Sequence, residues 1–274
     1  MQGHGKGFEM TEKEYREHPA ISRSELFRIR ESPLKLKYFK EHPEPPTPAL
    51  LFGQAFHKLA LEPDTFFDEF SVAPDVDRRT KDGKAVWSEF LDQAAAKTVI
   101  TKEMYDQAKE MCDSLNADPF ARKLLNGKRE IPFFWAERRT GEECKCRVDC
   151  LNTQYSQPIV VDVKSTTDAS TDAFIRDAIK YGYDFQAAMY SDGVEQNIGQ
   201  RPLFVFIAVE KDPPYAVNIL QADELLLRRG DNLFREYIGI YHDCRKMGNW
   251  YGYLGKNNQI NNLALPAYLA REVE

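Results

Sequence analysis

The most informative segments of the sequence are Ile159-Val160-Val161-Asp162-Val163-Lys164 and, shortly before it, Arg147-Val148-Asp149-Cys150. The first begins with a β-branched run, which is typical of a strand buried in the middle of a sheet. Residues 143–151 alternate, and an aromatic-rich run at 130–138 precedes them across the turn Thr140-Gly141. These segments predict a hairpin followed by a central strand, so that Asp149 and Asp162 end neighbouring strands.

The segments on either side of these strands are predicted to be mostly helical. Upstream, we predict helices near 22–30, 34–40, 49–61, 84–96, 101–116 and 118–126, with some strand at 70–73. Downstream, we predict helices at 171–181, 184–196 and 222–245, and strands at 203–209 and 215–220. This order predicts an α/β fold in which helices flank a central mixed sheet, with an additional N-terminal helical region.

A single domain is expected to account for most of the 274 residues, because 42% of them are apolar and can form a sizeable core. We expect a flexible N-terminus over 1–20, the domain over 21–250 and an irregular tail over 251–274. Within the domain, residues 21–128 are expected to be helical and residues 129–250 to contain the sheet.

Composition limits the location and the partners of the protein. No stretch approaches twenty consecutive apolar residues, which excludes a transmembrane helix, and residues 1–10 lack the apolar run of a signal peptide. We therefore expect a cytoplasmic protein with no membrane partner. The net charge of −6 is unfavourable for nucleic-acid binding. Basic residues nevertheless concentrate between Ile21 and Lys40, either as a binding surface or as solvated helix faces.

Three of the five cysteines are closely spaced, at Cys144, Cys146 and Cys150. An odd cysteine count without a secretion signal argues against a disulfide framework. On one strand these three residues would share a face, which permits either a metal cluster or a row of buried thiols. We favour buried thiols, because free cysteine is commonly a small core residue.

Asp162 and Lys164 lie two residues apart on a strand, so their side chains point to the same face. Buried charges of this kind are costly unless they are paired or bind a metal. If its strand is adjacent, Asp149 brings a second carboxylate close by, and a divalent cation would relieve the repulsion between the two. The pattern D-x-K is common, however, and a strand-end ion pair is the alternative explanation.

Two helical pairs support a catalytic interpretation. His57 interrupts the apolar helix at 49–61 and shares a face with Gly53, four residues earlier. It is either a core histidine or a metal ligand. Gln186 and Tyr190 are likewise four residues apart, and they can either bind a phosphate or provide ordinary helix polarity.

The ordered set G-x-x-x-H (53–57), an Asp149-terminated strand, D-x-K (162–164) and Q-x-x-x-Y (186–190) resembles the RecB-like branch of the PD-(D/E)XK nucleases. The stretches 21–26 (ISRSEL) and 57–63 (HKLALEP) resemble the RecE (exonuclease VIII) group. The resemblance covers residues 20 to 220 approximately. It implies a restriction-endonuclease-like core for the domain over 21–250. Val148 stands where a proline is common in the superfamily.

The resemblance implies a role for each matching position. It makes His57, Asp149, Asp162 and the backbone carbonyl of Val163 metal ligands. It makes Lys164 the catalytic lysine, with Gln186 and Tyr190 on a helix that lines the active site. The implied ion is Mg²⁺, with Mn²⁺ as a substitute. No iron–sulfur cluster is expected, because only Cys244 lies in the C-terminal region.

The RecE resemblance also implies a substrate and partners. Enzymes of this group are 5′-to-3′ double-strand DNA exonucleases that leave 3′ overhangs for homologous recombination of the phage type. We accordingly expect double-stranded DNA ends as substrate, a RecT-like single-strand annealing protein as partner, a homo-oligomeric ring and a bacterial host cytoplasm. Arg23, Ser24 and Arg28 are candidates for a 5′-phosphate pocket. The alternatives are a single-strand, flap or endonucleolytic nuclease, or a non-catalytic module that binds DNA ends.

Overall fold

The computed structural model of the protein describes residues 10–94, 96–258 and 260–265. Within them the strands are β1 (Ile21–Ser22), β2 (Phe70–Val72), β3 (Thr98–Ile100), β4 (Lys128–Ala136), β5 (Glu143–Asn152), β6 (Ile159–Thr166), β7 (Leu203–Glu210) and β8 (Val217–Gln221). The helices are α1 (Glu12–Glu17), α2 (Arg23–Leu26), α3 (Pro33–Glu41), α4 (Pro48–Leu61), α5 (Phe66–Glu69), α6 (Lys81–Ala94), α7 (Lys102–Ala117), α8 (Pro119–Leu124), α9 (Thr171–Tyr181), α10 (Tyr183–Ile198) and α11 (Glu224–Met247). Short 3₁₀ turns cover Phe27–Arg30 and Pro63–Thr65.

Most helices begin at a residue whose side chain accepts a hydrogen bond from the first helical turn. These N-cap residues include Ser22, Ser32, Thr47, Thr101, Asp118, Ser170 and Asp223. Such caps satisfy backbone N–H groups that have no partner within the helix. They are local in sequence, which is why the predicted helix starts agree closely with those observed.

The main sheet contains β1, β4, β5, β6, β7 and β8, with β5 and β6 at its centre. β4 pairs antiparallel along one edge of β5. On the other edge, β6 pairs antiparallel with β5 through three residue pairs only, Cys150–Asn152 with Ile159–Val161. β6 continues beside β7 in parallel pairing as far as Thr166. The remainder of β5 and β6 therefore diverges, and we call this opening the fork.

Two layers of helices bury the two faces of the sheet. The first core lies beneath α10 and α11 and includes Val160, Phe204 and Phe206. The second lies beneath α4, α7 and α8 and includes Val161 and Val163. Successive residues of β6 enter opposite cores, as expected for a strand buried on both faces. A central mixed sheet flanked by helices is thus confirmed.

Some elements differ from the sequence-based expectation. The segment expected to be flexible contains helix α1, which Thr11 and Glu14 stabilise through a reciprocal capping box. A small parallel sheet, β2 with β3, packs outside the main core, although only β2 was anticipated. The tail after Trp250 has turns but no helix or strand over 251–258 and 260–265, and residues 266–274 lie outside the described residues.

The three clustered cysteines do not share one face, contrary to the prediction. Cys144 and Cys146 are buried in the first core, whereas Cys150 is buried in the second. Alternation along the hairpin breaks near Glu130, which has a left-handed φ of 51° opposite this part of β5. All three thiols are free and buried, in agreement with the buried-thiol interpretation.

Among the described residues, none of the helices combines the length and the apolar character that a membrane span requires.

The contact between α10 and α11 depends on a glycine and generates a stability prediction. A Cβ at Gly230 would lie 2.0 Å from the backbone oxygen of Asp184, whereas a Cβ at Gly239 on the same helix would meet nothing within 4 Å. Gly230→Ala should destabilise the protein by about 1–3 kcal/mol in urea unfolding, because the helices must move apart. The control Gly239→Ala should be neutral or stabilise it by up to about 1 kcal/mol. Similar losses in both variants would contradict this packing.

Candidate active site

Asp162 and Lys164 on β6 form an ion pair between a buried carboxylate and a partly buried ammonium. The Lys164 ammonium contacts Asp162 Oδ2, and the Gln186 side chain on α10 donates a hydrogen bond of 2.5 Å to Asp162 Oδ1. Only 1% of Asp162 is exposed. Burial raises the pKa of Asp162 to about 6, although Lys164 opposes this shift. The site thus contains a carboxylate that gains from an added positive charge.

Asp149 lies where β5 and β6 separate and joins the two strands. Its Oδ2 accepts the backbone N–H of Val163 at 2.8 Å and contacts His57 Nε2 at 2.6 Å. Burial raises the pKa of Asp149, but the charge and hydrogen bond of His57, together with Lys164 and the Val163 N–H, outweigh burial and hold the pKa below its usual value. The fork therefore contains an ionised carboxylate with an N–H donor and an imidazole beside it.

His57 enters the fork from α4, on the layer opposite Gln186. Burial lowers its pKa, but the carboxylates of Asp149 and Glu130 raise it to about 9. The His57 side chain is 31% exposed, so the fork is open to solvent on this side. Two layers of the fold thus deliver side chains to one point, a grouping that the four sequence motifs predicted.

Glu130 on β4 was missed from the sequence. It lies opposite Asp149, because its neighbours Arg129 and Ile131 pair with Cys150 and Val148. Its Oε1 is 3.5 Å from His57 Nδ1, is buried and accepts no hydrogen bond from the described residues. Burial raises the pKa of Glu130 to about 7. The observed register pairs Ala136 with Glu143, whereas counting back from a two-residue turn at Thr140-Gly141 would have placed Pro132 opposite Asp149.

This arrangement fits a divalent cation. His57, Glu130 and Asp149 each offer a ligand atom, and these atoms lie within 4.8 Å of one another. Carboxylate oxygens are ligands for Mg²⁺ and Mn²⁺, and the unpaired Glu130 oxygen supplies the polar atom that a cation would satisfy. Asp162 is not one of these three residues, and its predicted role as a metal ligand stays a prediction. The Val163 N–H serves Asp149, and its carbonyl as a ligand stays a prediction.

The other predicted residues lie around this centre. Tyr190 follows Gln186 by one helical turn and is partly buried against the first core. Arg23 donates hydrogen bonds to the backbone oxygens of Tyr181 and of Gly182, the latter at 2.9 Å, where α9 meets α10. Its guanidinium is close enough for Tyr190 and Asp162 to influence its pKa, which burial lowers.

Arg28 and Ser24 do not contact the carboxylate cluster. The Arg28 guanidinium stacks 4.0 Å from the centre of the Phe39 ring, and the Ser24 hydroxyl lies 3.3 Å from that of Ser22. Within the predicted phosphate pocket, therefore, Arg23 also has a structural role in closing the end of α9. The pocket itself stays a prediction.

Residues 22–262 match the family described as a PDDEXK-like domain of unknown function, DUF3799. The chain belongs to this family. A solved structure from Eubacterium rectale, whose description reads "putative exonuclease", has 15% sequence identity and a TM-score of 0.63. That match covers 97% of this chain and 98% of the other.

A second structure, named SSO0001, has 11% identity over 84% of this chain and 96% of that chain. Its TM-score of 0.31 is too low to indicate a shared fold. No curated protein matches this sequence. At these identities the Eubacterium rectale structure supports the fold alone. Membership of the PDDEXK-like family agrees with the placement of Asp149, Asp162 and Lys164 at the fork.

The Glu130 carboxylate, whose Oε1 accepts no hydrogen bond from the described residues, is predicted to contribute measurably to metal binding. Glu130→Gln keeps the side-chain shape but removes a charge, so the affinity for Mn²⁺ should fall by about tenfold or more in isothermal titration. Glu143→Gln removes an exposed carboxylate from the same hairpin and should leave the affinity unchanged. Equal affinities in the two variants would exclude Glu130 from the site.

The raised pKa values predict that metal binding competes with protons. Asp162, Glu130 and His57 have pKa values of about 6, 7 and 9, so the affinity for Mn²⁺ should rise as pH increases from about 6 to 9. In His57→Gln the rise above pH 7.5 should be lost, because the group that titrates in that range is gone. An affinity that is independent of pH in the wild type would contradict this electrostatic arrangement.

Proposed function

We propose that this PDDEXK-like protein is a metal-dependent deoxyribonuclease whose catalytic centre is Asp149, Asp162 and Lys164. The observation that carries the proposal is the convergence of two buried carboxylates and a partly buried ammonium at the fork, beside the exposed edge of His57. As a means of stabilising the fold, these charges would be a poor choice, because desolvation offsets much of the gain from pairing. As a catalytic site, the same charges suit phosphodiester hydrolysis.

The chain's own residues would divide the work of the reaction. When bound, a divalent cation supplies Lewis acidity and lowers the pKa of bound water. Lys164, held by Asp162, is placed to orient a water molecule and to stabilise negative charge that develops on the phosphate. Gln186 fixes the Asp162 carboxylate through its hydrogen bond, and Asp149 is fixed by the Val163 N–H.

For the substrate, we propose double-stranded DNA ends, degraded from the 5′ end to leave a 3′ overhang. The RecE resemblance supports this direction, and the exonuclease description of the Eubacterium rectale protein supports attack from an end without indicating which one. A homo-oligomeric ring, a RecT-like annealing partner and a role in phage-type recombination in the bacterial cytoplasm belong to the same proposal. Arg28, Arg23 and Ser24 are its candidates for binding the 5′-phosphate.

Digestion of end-labelled DNA tests the proposal. With Mg²⁺, wild-type protein should release nucleotides from linear duplexes, prefer ends with a 5′-phosphate and leave covalently closed circles intact. EDTA should stop the reaction. Cleavage of closed circles would indicate an endonuclease. A preference for single strands or flaps would indicate a single-strand or flap nuclease. Binding of DNA ends without cleavage would indicate a non-catalytic module.

The catalytic residues are tested in the same assay with single substitutions. Asp149→Asn, Asp162→Asn and Lys164→Ala should each lower the cleavage rate by at least about a hundredfold, because each removes a charge from the transition-state environment. Asp113→Asn alters an exposed carboxylate on α7 and serves as the matched control. Unchanged rates in folded Asp162→Asn protein would exclude this centre.

A further inference from the structure

Arg147 lies next to the fork but is not used by the chemistry proposed above. It precedes Asp149 by two residues on β5. One of its terminal nitrogens is 3.7 Å from Glu130 Oε2, and the opposite Glu130 oxygen faces His57. The guanidinium is therefore only one carboxylate away from the candidate metal ligands.

Glu12 on α1 occupies this guanidinium. Its Oε2 contacts the same Arg147 nitrogen, and its Oε1 contacts Arg16. Arg147 Nε is buried and has no hydrogen-bond partner among the described residues, so the guanidinium does not use all of its donors. A guanidinium with free donors is suited to bidentate binding of a phosphate, and a carboxylate is the side chain that best imitates one.

The helix that carries Glu12 lies at the surface of the protein. None of the residues of α1 is buried. Lys145 holds its C-terminal end through the backbone oxygens of Tyr15, Arg16 and His18, at 2.7, 3.2 and 2.7 Å. Tyr15 of α1 also packs against Phe134 and beneath the cations of Lys145 and Arg147, so the helix can stay in place while the partly exposed Glu12 side chain moves aside. The helix also precedes residues 22–262, the segment that matches the PDDEXK-like family.

We infer that Arg147 is a binding residue for a backbone phosphate of the nucleic acid, and that Glu12 covers it until nucleic acid displaces the carboxylate. This inference rests on the proposed nuclease function, since it requires a phosphodiester strand beside the fork. The carboxylate holds the guanidinium in position without substrate and weakens binding by competition. The phosphate contact is independent of base sequence, so it sets affinity for any strand that enters the fork.

The test measures binding of a fluorescent linear duplex by anisotropy, with Asp162→Asn present in every protein to prevent cleavage. Glu12→Gln should tighten binding by about fivefold at low salt, because it removes the competing charge. Glu17→Gln removes an equal charge from the exposed end of the same helix and should have no such effect. Adding Arg147→Ala to Glu12→Gln should abolish the gain and reduce the slope of log Kd against log salt by about one.

Each other outcome overturns the inference. Equal tightening by Glu12→Gln and Glu17→Gln would mean that the change in net charge, and not the contact with Arg147, strengthens binding. Weaker binding with a lower Tm in Glu12→Gln would mean that the Glu12–Arg147 ion pair only stabilises the fold. A gain that survives Arg147→Ala would assign the phosphate contact elsewhere. A cleavage assay on protein with Asp162 intact distinguishes failure of this inference from failure of the proposed nuclease function. Wild type that cleaves while Glu12→Gln binds unchanged refutes only the inference, and wild type that neither binds nor cleaves DNA refutes the proposed function with it.

Discussion

The hydrogen bond from the Val163 N–H to Asp149 Oδ2 spans the point where the two central strands separate. Beyond the three paired residues, β5 and β6 exchange no further ladder bonds, and a buried N–H without a partner would be costly. A carboxylate therefore satisfies the backbone at the fork. The same carboxylate is then fixed beside Asp162 on the neighbouring strand, and this closeness determines the electrostatics of the whole site.

The layers of the fold provide what these carboxylates need. His57 reaches the fork from α4 on one face, and Gln186 reaches it from α10 on the other. Val161 and Val163 lock β6 into the second core, which leaves Asp162 on the side of α10. Packing thus holds the polar groups at set distances, and a rigid scaffold of this kind is what a preorganised catalytic site requires.

Much of this arrangement could be predicted because its signals are local. The β-branched run at 159–163 and the capping residues act within a few positions, and the motifs around His57, Asp162 and Gln186 each occupy a single element. Glu130 escaped because its importance depends on strand register. The separation of Cys150 from Cys144 escaped as well, since it follows a break in alternation that the residue pattern does not show.

The N-terminal helix shows a different limit. α1 is held by long-range contacts from Lys145 and Arg147 to backbone and side-chain oxygens, and no apolar periodicity in residues 12–17 announces them. Such contacts exist only once β5 has formed. The acidic net charge likewise concealed that cationic side chains are gathered close to the fork, where a phosphodiester strand would need them.

The most direct measurement is anomalous diffraction from crystals soaked in Mn²⁺ after removal of metal with a chelator, collected on protein whose DNA cleavage in Mn²⁺ has been measured. We expect a peak at the fork, within coordination distance of Asp149, and its loss in crystals of Asp149→Asn. A fork that binds no metal in protein that still cleaves DNA would contradict the claim that these carboxylates form the catalytic centre.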